Sequence, residues 1–164
     1  MCNSFFYLRG GAERVFFELS RLLSENGHEV IPFSMQHASN LPSEYSDYFV
    51  SYVDYPSLLG KSSGMRSKFQ VAERVIYSRE ARDKITRLIE DTKPDIAHVH
   101  GIAAEMSPSI LPAIKKAGIP VVQTLHDYRL ICPNISFVSR GEICESCKVH
   151  RYYEVCLLYT SDAA

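Results

Sequence analysis

KPDIAHVHG, residues 93–101, is the stretch on which the fold turns. Pro94 stops whatever helix precedes it, and Asp95-Ile96-Ala97-His98-Val99-His100 is a short apolar run closed by Gly101, the signature of a buried strand. Upstream, Arg79 to Thr92 places Ala81, Ile85, Leu88 and Ile89 on one helical face. Downstream, Ser107-Pro108 reads as a cap and first turn, and Ile110 to Ala117 as a helix closed by Gly118, with Pro112 leaving its start open. Ile119-Pro120-Val121-Val122-Gln123-Thr124-Leu125 is a second apolar strand. Strands separated by helices imply right-handed crossovers and a parallel sheet.

The same alternation continues toward the amino terminus. Ala12, Val15, Phe16, Leu19, Leu22 and Leu23 recur at helical spacing, and Gly27 supplies the stop. Met1 to Tyr7 reads as a strand with its first residues cut away, Glu29 to Ser34 as a second strand, and Phe49 to Val53 as a short edge strand after a loop at Gln36 to Asp47. Ser67 to Tyr77, with Arg79 to Thr92, forms one or two helices. The expected fold class is α/β: a three-layer, Rossmann-like domain with a mainly parallel sheet over residues 1–155. The tail Cys156 to Ala164, CLLYTSDAA, lacks periodicity and caps, and reads as a non-native, adapter-derived sequence following a truncated gene fragment.

Composition narrows the function. The 164 residues are 46% hydrophobic and 23% charged with a net charge of -1, which suits a globular chain and gives no reason to expect nucleic acid. No apolar run reaches the roughly 20 residues that span a bilayer, and no signal-peptide pattern opens the chain. A cytoplasmic protein is the expectation.

Polar clusters fall at the expected strand ends, where open α/β sheets bind ligands. Gly10 and Gly11 join the first strand to the first helix, so a backbone without side chains meets helix-terminal amides suited to phosphate, although a tight turn would need the same glycines. Neither a full GxGxxG nor a P-loop Lys-Ser is present. His98 and His100 share one face of their strand; His98 reads as structural and His100, beside Gly101, as the ligand contact. His126 follows the apolar strand with a near-neutral pKa suited to proton exchange, while Asp127 would orient it or cap the next turn. Arg14 reads as an anchor of the first helix.

Cys132, Cys144 and Cys147 flank a hairpin at Ser139-Arg140-Gly141-Glu142. Three thiols in this spacing fit a structural zinc site, with His150 a candidate fourth ligand, and reduced free thiols are the alternative. Arg66 to Arg87 is locally basic, which fits either a solvated helix or peripheral contact with anionic headgroups.

FYLRGGAERVFFELSRLLSENGHEV, KPDIAHVHG and AGIPVVQTLHDYRLICPN resemble, in order and spacing, the amino-terminal half of a family 4 glycosyltransferase of the GT-B fold. The resemblance implies a retaining enzyme that transfers a sugar from a nucleotide-sugar donor to a glycan or lipid-linked acceptor, without a cofactor. It also implies that this domain faces the acceptor and needs a second, donor-binding domain, so that the fragment alone is inactive. Carried onto this chain, Gly10 and Gly11 approach the donor phosphates and His126 is the catalytic histidine of the cleft, with His100 and Asp127 near the ligands. Two other readings stand beside it. A self-contained, oxidoreductase-like nucleotide-binding module would want an acid at the second strand's end, where Ser34-Met35-Gln36 stands; a zinc-binding interaction domain would leave the α/β portion unexplained.

Overall fold

The computed structural model describes residues 1–53, 76–102, 106–132, 134–139 and 141–147. The helix expected at 67–77 lies almost wholly outside these residues, as does the tail from 156. The sequence reads as one domain to Val155; the structure divides into two compact units, Met1–Thr124 and Leu125–Ala164.

The first unit is a parallel sheet seen at its narrowest. Strand β1 (Ala97–Val99) pairs in parallel with β2 (Val121–Gln123) through Ala97↔Val121, His98↔Val122 and Val99↔Gln123. Beyond β1 the ladder continues as single parallel bridges: Val99 to Cys2, Cys2 to Phe33, and Met35 to Val50. The expected strands at 1–7, 29–34 and 49–53 are therefore present but reduced to a few paired residues, because the chain turns away after each. Backbone hydrogen bonds still stitch the first one on both sides, with Phe33 N–H to Met1 O and Asn3 N–H to Phe33 O on one edge, and Cys2 N–H to His98 O and His100 N–H to Cys2 O on the other. Read across, the chain-order sequence of strand positions is 3-2-1-4-5, compatible with a Rossmann-like arrangement.

Helix α1 (Gly11–Glu25) follows the first strand, α2 (Arg79–Thr92) precedes β1, and α3 (Ile110–Lys116) joins β1 to β2. Alternation along β1 sorts the two faces. Ala97 and Val99 join Ala81, Ile85 and Leu88 of α2 and Ile110 and Ile114 of α3 in the main core. His98 and His100 lie on the opposite face, where Phe16 of α1 meets the His100 ring at 5.5 Å. The ends of α2 are built from sequence: the Ser78 hydroxyl accepts from Ala81 N–H, and Lys93 caps the C-terminus in the left-handed region, its N–H donating to Ile89 O. Pro94 then prevents continuation.

A knot of buried serines locks α2 to α3. Ser107, at φ 60, accepts from the N–H groups of Ser78 and Ser109 and donates to Ser109 Oγ, which in turn donates to Ser78 O. Every polar atom of the Ser107 hydroxyl is thereby used, which offsets its burial.

The second unit is built from turns. Tyr128 O accepts from Ile131 and Cys132 N–H, and the expected hairpin forms from β3 (Val138–Ser139) and β4 (Glu142–Ile143), paired Val138↔Ile143 and Ser139↔Glu142, with Gly141 at φ 81. Among its described residues only Cys132 is a buried apolar residue, and Ile143 is 85% exposed.

Candidate functional site

In the first unit the strand order reverses between the first strand, whose crossover leads to the second strand on one side, and β1, whose crossover leads to β2 on the other. Such a switch point leaves a crevice at the carboxyl ends of the two strands. The loops that border it are residues 5–10 and the segment from Gly101.

Asn3 and Ser4 tie these loops together. Ser4 N–H and Ser4 Oγ both donate to Gly101 O, at 2.7 Å each, and Asn3 Oδ1 accepts from Gly101 N–H at 3.1 Å while its Nδ2 donates to Phe5 O at 2.9 Å. Both residues are buried. A Cβ on Gly101 would stand 3.3 Å from Asn3 Oδ1, so the close clamp favours glycine there. Beneath, Phe6 packs against Phe16, Phe17 and Phe49.

Gly10 is the N-cap of α1 and offers no side-chain cap; its carbonyl accepts the first helical bond from Arg14 N–H. The amides of Gly11, Ala12 and Glu13 precede that bond and have no intrahelical acceptor, so they form a partial positive charge at the crevice. A Cβ on Gly11 would meet nothing within 4 Å, and its φ is ordinary. The fold itself therefore does not require glycine at 11. Glu13, 8% exposed in the first turn, places Oε2 3.6 Å from where a Gly10 Cβ would be. A carboxylate suits that helix end.

The two strand histidines differ in burial. His100, expected as the ligand contact, is 3% exposed and lies against Phe16 of α1. His98 is half-buried, with Nε2 2.7 Å from Thr124 Oγ1 and its ring 4.4 Å from that of His100. A strand tells which residues share a face but not which helix residue covers it.

His126 and Asp127 belong to the second unit. His126 is exposed. Asp127 spends its carboxylate on Arg129: Oδ1 accepts from Arg129 N–H at 2.9 Å and Oδ2 pairs with the guanidinium at 3.1 Å. Burial alone would raise the Asp127 carboxyl, but these hydrogen bonds and the Arg129 charge outweigh it and hold the group below the ordinary range. Asp127 is thus a turn cap, the commoner outcome for this residue type.

Cys132 and Cys144 are free thiols. Cys132 is buried, whereas Cys144 lies past the hairpin and is half-buried, its thiol lowered by the Ser146 N–H and hydroxyl. Among the described residues no three His, Cys, Asp or Glu side chains gather as a metal site; His150, the candidate fourth zinc ligand, lies outside the described residues. Of the basic stretch, the described part is internally paired: Arg82 with Asp83, Lys84 with Glu80 and Arg87 with Asp91. No helix among the described residues is long and apolar enough to cross a membrane.

A cavity of about 640 Å³ opens at the opposite end of the strands, lined by Met1, Ile31, Leu88, Ile96 and Ile119 among others. Its walls are the strand starts, away from the loops that follow the strands. The crevice at the carboxyl ends is the better candidate, because helix-terminal amides, glycines and clamped polar side chains of the described residues converge there.

The family model for Glycosyltransferase Family 4 matches residues 9–140, which spans all three helices and both junctions of the crevice. No curated protein and no solved structure matches the chain.

Proposed function

The chain belongs to glycosyltransferase family 4, and from that premise we propose that it forms the acceptor-side, Rossmann-like half of a GT-B enzyme that transfers a sugar from a nucleotide donor with retention. The observation that carries this reading is the uncapped N-terminus of α1 at Gly10 and Gly11, open at the sheet's switch point. A phosphate there meets several N–H groups and the helix dipole, with the Glu13 carboxylate beside Gly10.

In this reading the donor's phosphates lie against Gly10 and Gly11 and are held from the other side by a second domain. Asn3, Ser4 and His100 keep the loop rigid, so the amides are already in place when charge develops on the leaving phosphate. His126 supplies a hydrogen bond or a proton at the reacting sugar, and Asp127 fixes the turn that carries it. The chain alone does not turn over, since transfer needs donor and acceptor held together. The oxidoreductase-like alternative gains nothing from the structure: Ser34 and Met35 at the second strand's end are buried, and Gln36 Nε2 donates to Ser46 O.

The test is Gly11→Val in the enzyme assembled with its donor-binding domain. Bulk at the amides should lower kcat/KM for the nucleotide sugar by about tenfold or more, with the fold unaffected. Unchanged kcat/KM in a folded variant would remove the phosphate role.

A further inference from the structure

Glu13 stands apart among the charged residues of the first unit. It is 8% exposed in the first turn of α1, and its Oε2 lies 3.6 Å from where a Cβ on Gly10 would stand, so the carboxylate is turned back over the uncapped helix end. Among the described residues it makes no hydrogen bond and no ion pair. Neither neighbouring cation answers it: the Arg9 guanidinium lies over the Phe5 ring at 4.3 Å, and Arg14 is exposed. An acid at this position of a helix can reach back to the amide of the N-cap residue, but here that bond is not formed. A carboxylate taken this far out of water is costly unless a donor meets it.

Two unmet demands therefore lie within one helical turn. The amides of Gly11, Ala12 and Glu13 call for an acceptor, best an anion, and the Glu13 carboxylate calls for a donor. A bare phosphate satisfies the first and aggravates the second, since it brings like charge beside the carboxylate. A metal cation does the reverse, meeting the carboxylate and opposing the helix dipole. A ligand that carries an anion and a hydroxyl close together meets both.

We propose that the α1 terminus and Glu13 together bind a phosphate ester with a free hydroxyl on the adjoining carbon: the amides take the phosphate, and Glu13 accepts a hydrogen bond from the hydroxyl. This deepens the reading above and rests on it for the phosphate. Glu13 then selects hydroxylated esters over bare ones and moves no proton. The two ligand groups must be near neighbours, because the carboxylate and the amides belong to the same turn. The hexose of a nucleotide sugar bears such a hydroxyl beside its phosphate-bearing carbon, and so does a glycerol phosphate.

The experiment titrates the 164-residue chain with inorganic phosphate, 2-deoxyglucose 1-phosphate, glucose 1-phosphate and glycerol 3-phosphate, following the backbone amides of Gly11, Ala12 and Glu13 by NMR. Glucose 1-phosphate should bind about tenfold more tightly than its deoxy counterpart. Glu13→Ala should erase that preference from both sides, weakening the glucose ester and, with the like charge gone, tightening the deoxy ester and inorganic phosphate. Glu13→Gln keeps an acceptor without the charge, so it should tighten inorganic phosphate and the deoxy ester while keeping part of the preference. Either change removes a buried, unpartnered charge, so both variants should melt no lower than the unaltered chain. Equal affinity for the two glucose esters overturns the proposal and leaves the phosphate reading standing. A preference that survives Glu13→Ala, with a lowered melt, makes Glu13 a helix cap and overturns it too. Binding of none of the four removes both readings. Tight binding of glycerol 3-phosphate upholds the site for polyol phosphates at large; its absence beside tight glucose 1-phosphate confines the site to the sugar ring.

Discussion

Gly11 and Asp127 show how differently two residues of one family motif set can be held. Gly11 is exposed with open space around its Cα, so Gly11→Val should move the stability of the domain by less than about 1 kcal/mol while it impairs turnover. Chemical denaturation of the variant checks the first half. Asp127 is held by Arg129, and its lowered pKa has a sign that can be worked out. A depressed carboxyl contributes stability that is full above the ordinary carboxylate value of about 4 and is lost as pH falls through the lower folded value. The turn should therefore be indifferent to pH near neutrality and loosen only in acid. An NMR titration of the Asp127 carboxyl that ran at or above the ordinary value would contradict this; with the side chain a third exposed, the gain is small.

At the scale of elements, the helices depend on a few buried contacts. Leu88 faces the core from α2, and Leu88→Ala should cost about 2–5 kcal/mol by leaving a cavity. Ser107→Ala removes the hydroxyl that receives Ser78 and Ser109, and about 1–3 kcal/mol of lost stability is expected from the stranded buried donors. A thermal melt of Ser107→Ala matching that of the unaltered chain would show the knot to be dispensable. These elements were legible to different degrees. The periodicity of α1, α2 and α3 and the turn chemistry of the hairpin are local, so the helices and the β3–β4 pairing follow from neighbouring residues. The serine knot and the Asn3–Ser4 clamp are not local. Ser4 and Gly101 lie 97 residues apart, and polar pairs at that distance leave no spacing in the sequence. The one available signal was a pair of polar residues, Asn3-Ser4, closing an apolar strand. His98 and His100 share one face as their spacing requires, but which of them is more buried depends on where Phe16 of α1 comes to rest.

For the whole molecule, the proposed reading puts phosphate chemistry at the switch point between the first strand and β1. A departing nucleotide diphosphate needs positive charge. The α1 terminus supplies about half an elementary charge, and basic side chains of a donor-binding domain would supply the rest, so transfer should proceed without a divalent cation. Assaying the assembled enzyme in EDTA should leave its turnover within about twofold; abolition of activity, restored by Mg²⁺ or Mn²⁺, would mean that a metal carries that charge. In the proposed reading His126 is the group of this chain that acts at the reacting sugar. His126→Ala should lower kcat by about 10²-fold or more if the imidazole moves a proton or binds the transition state. Near-normal kcat in a folded variant would make His126 structural, leaving the Gly10–Gly11 terminus as the chain's proposed contribution to catalysis.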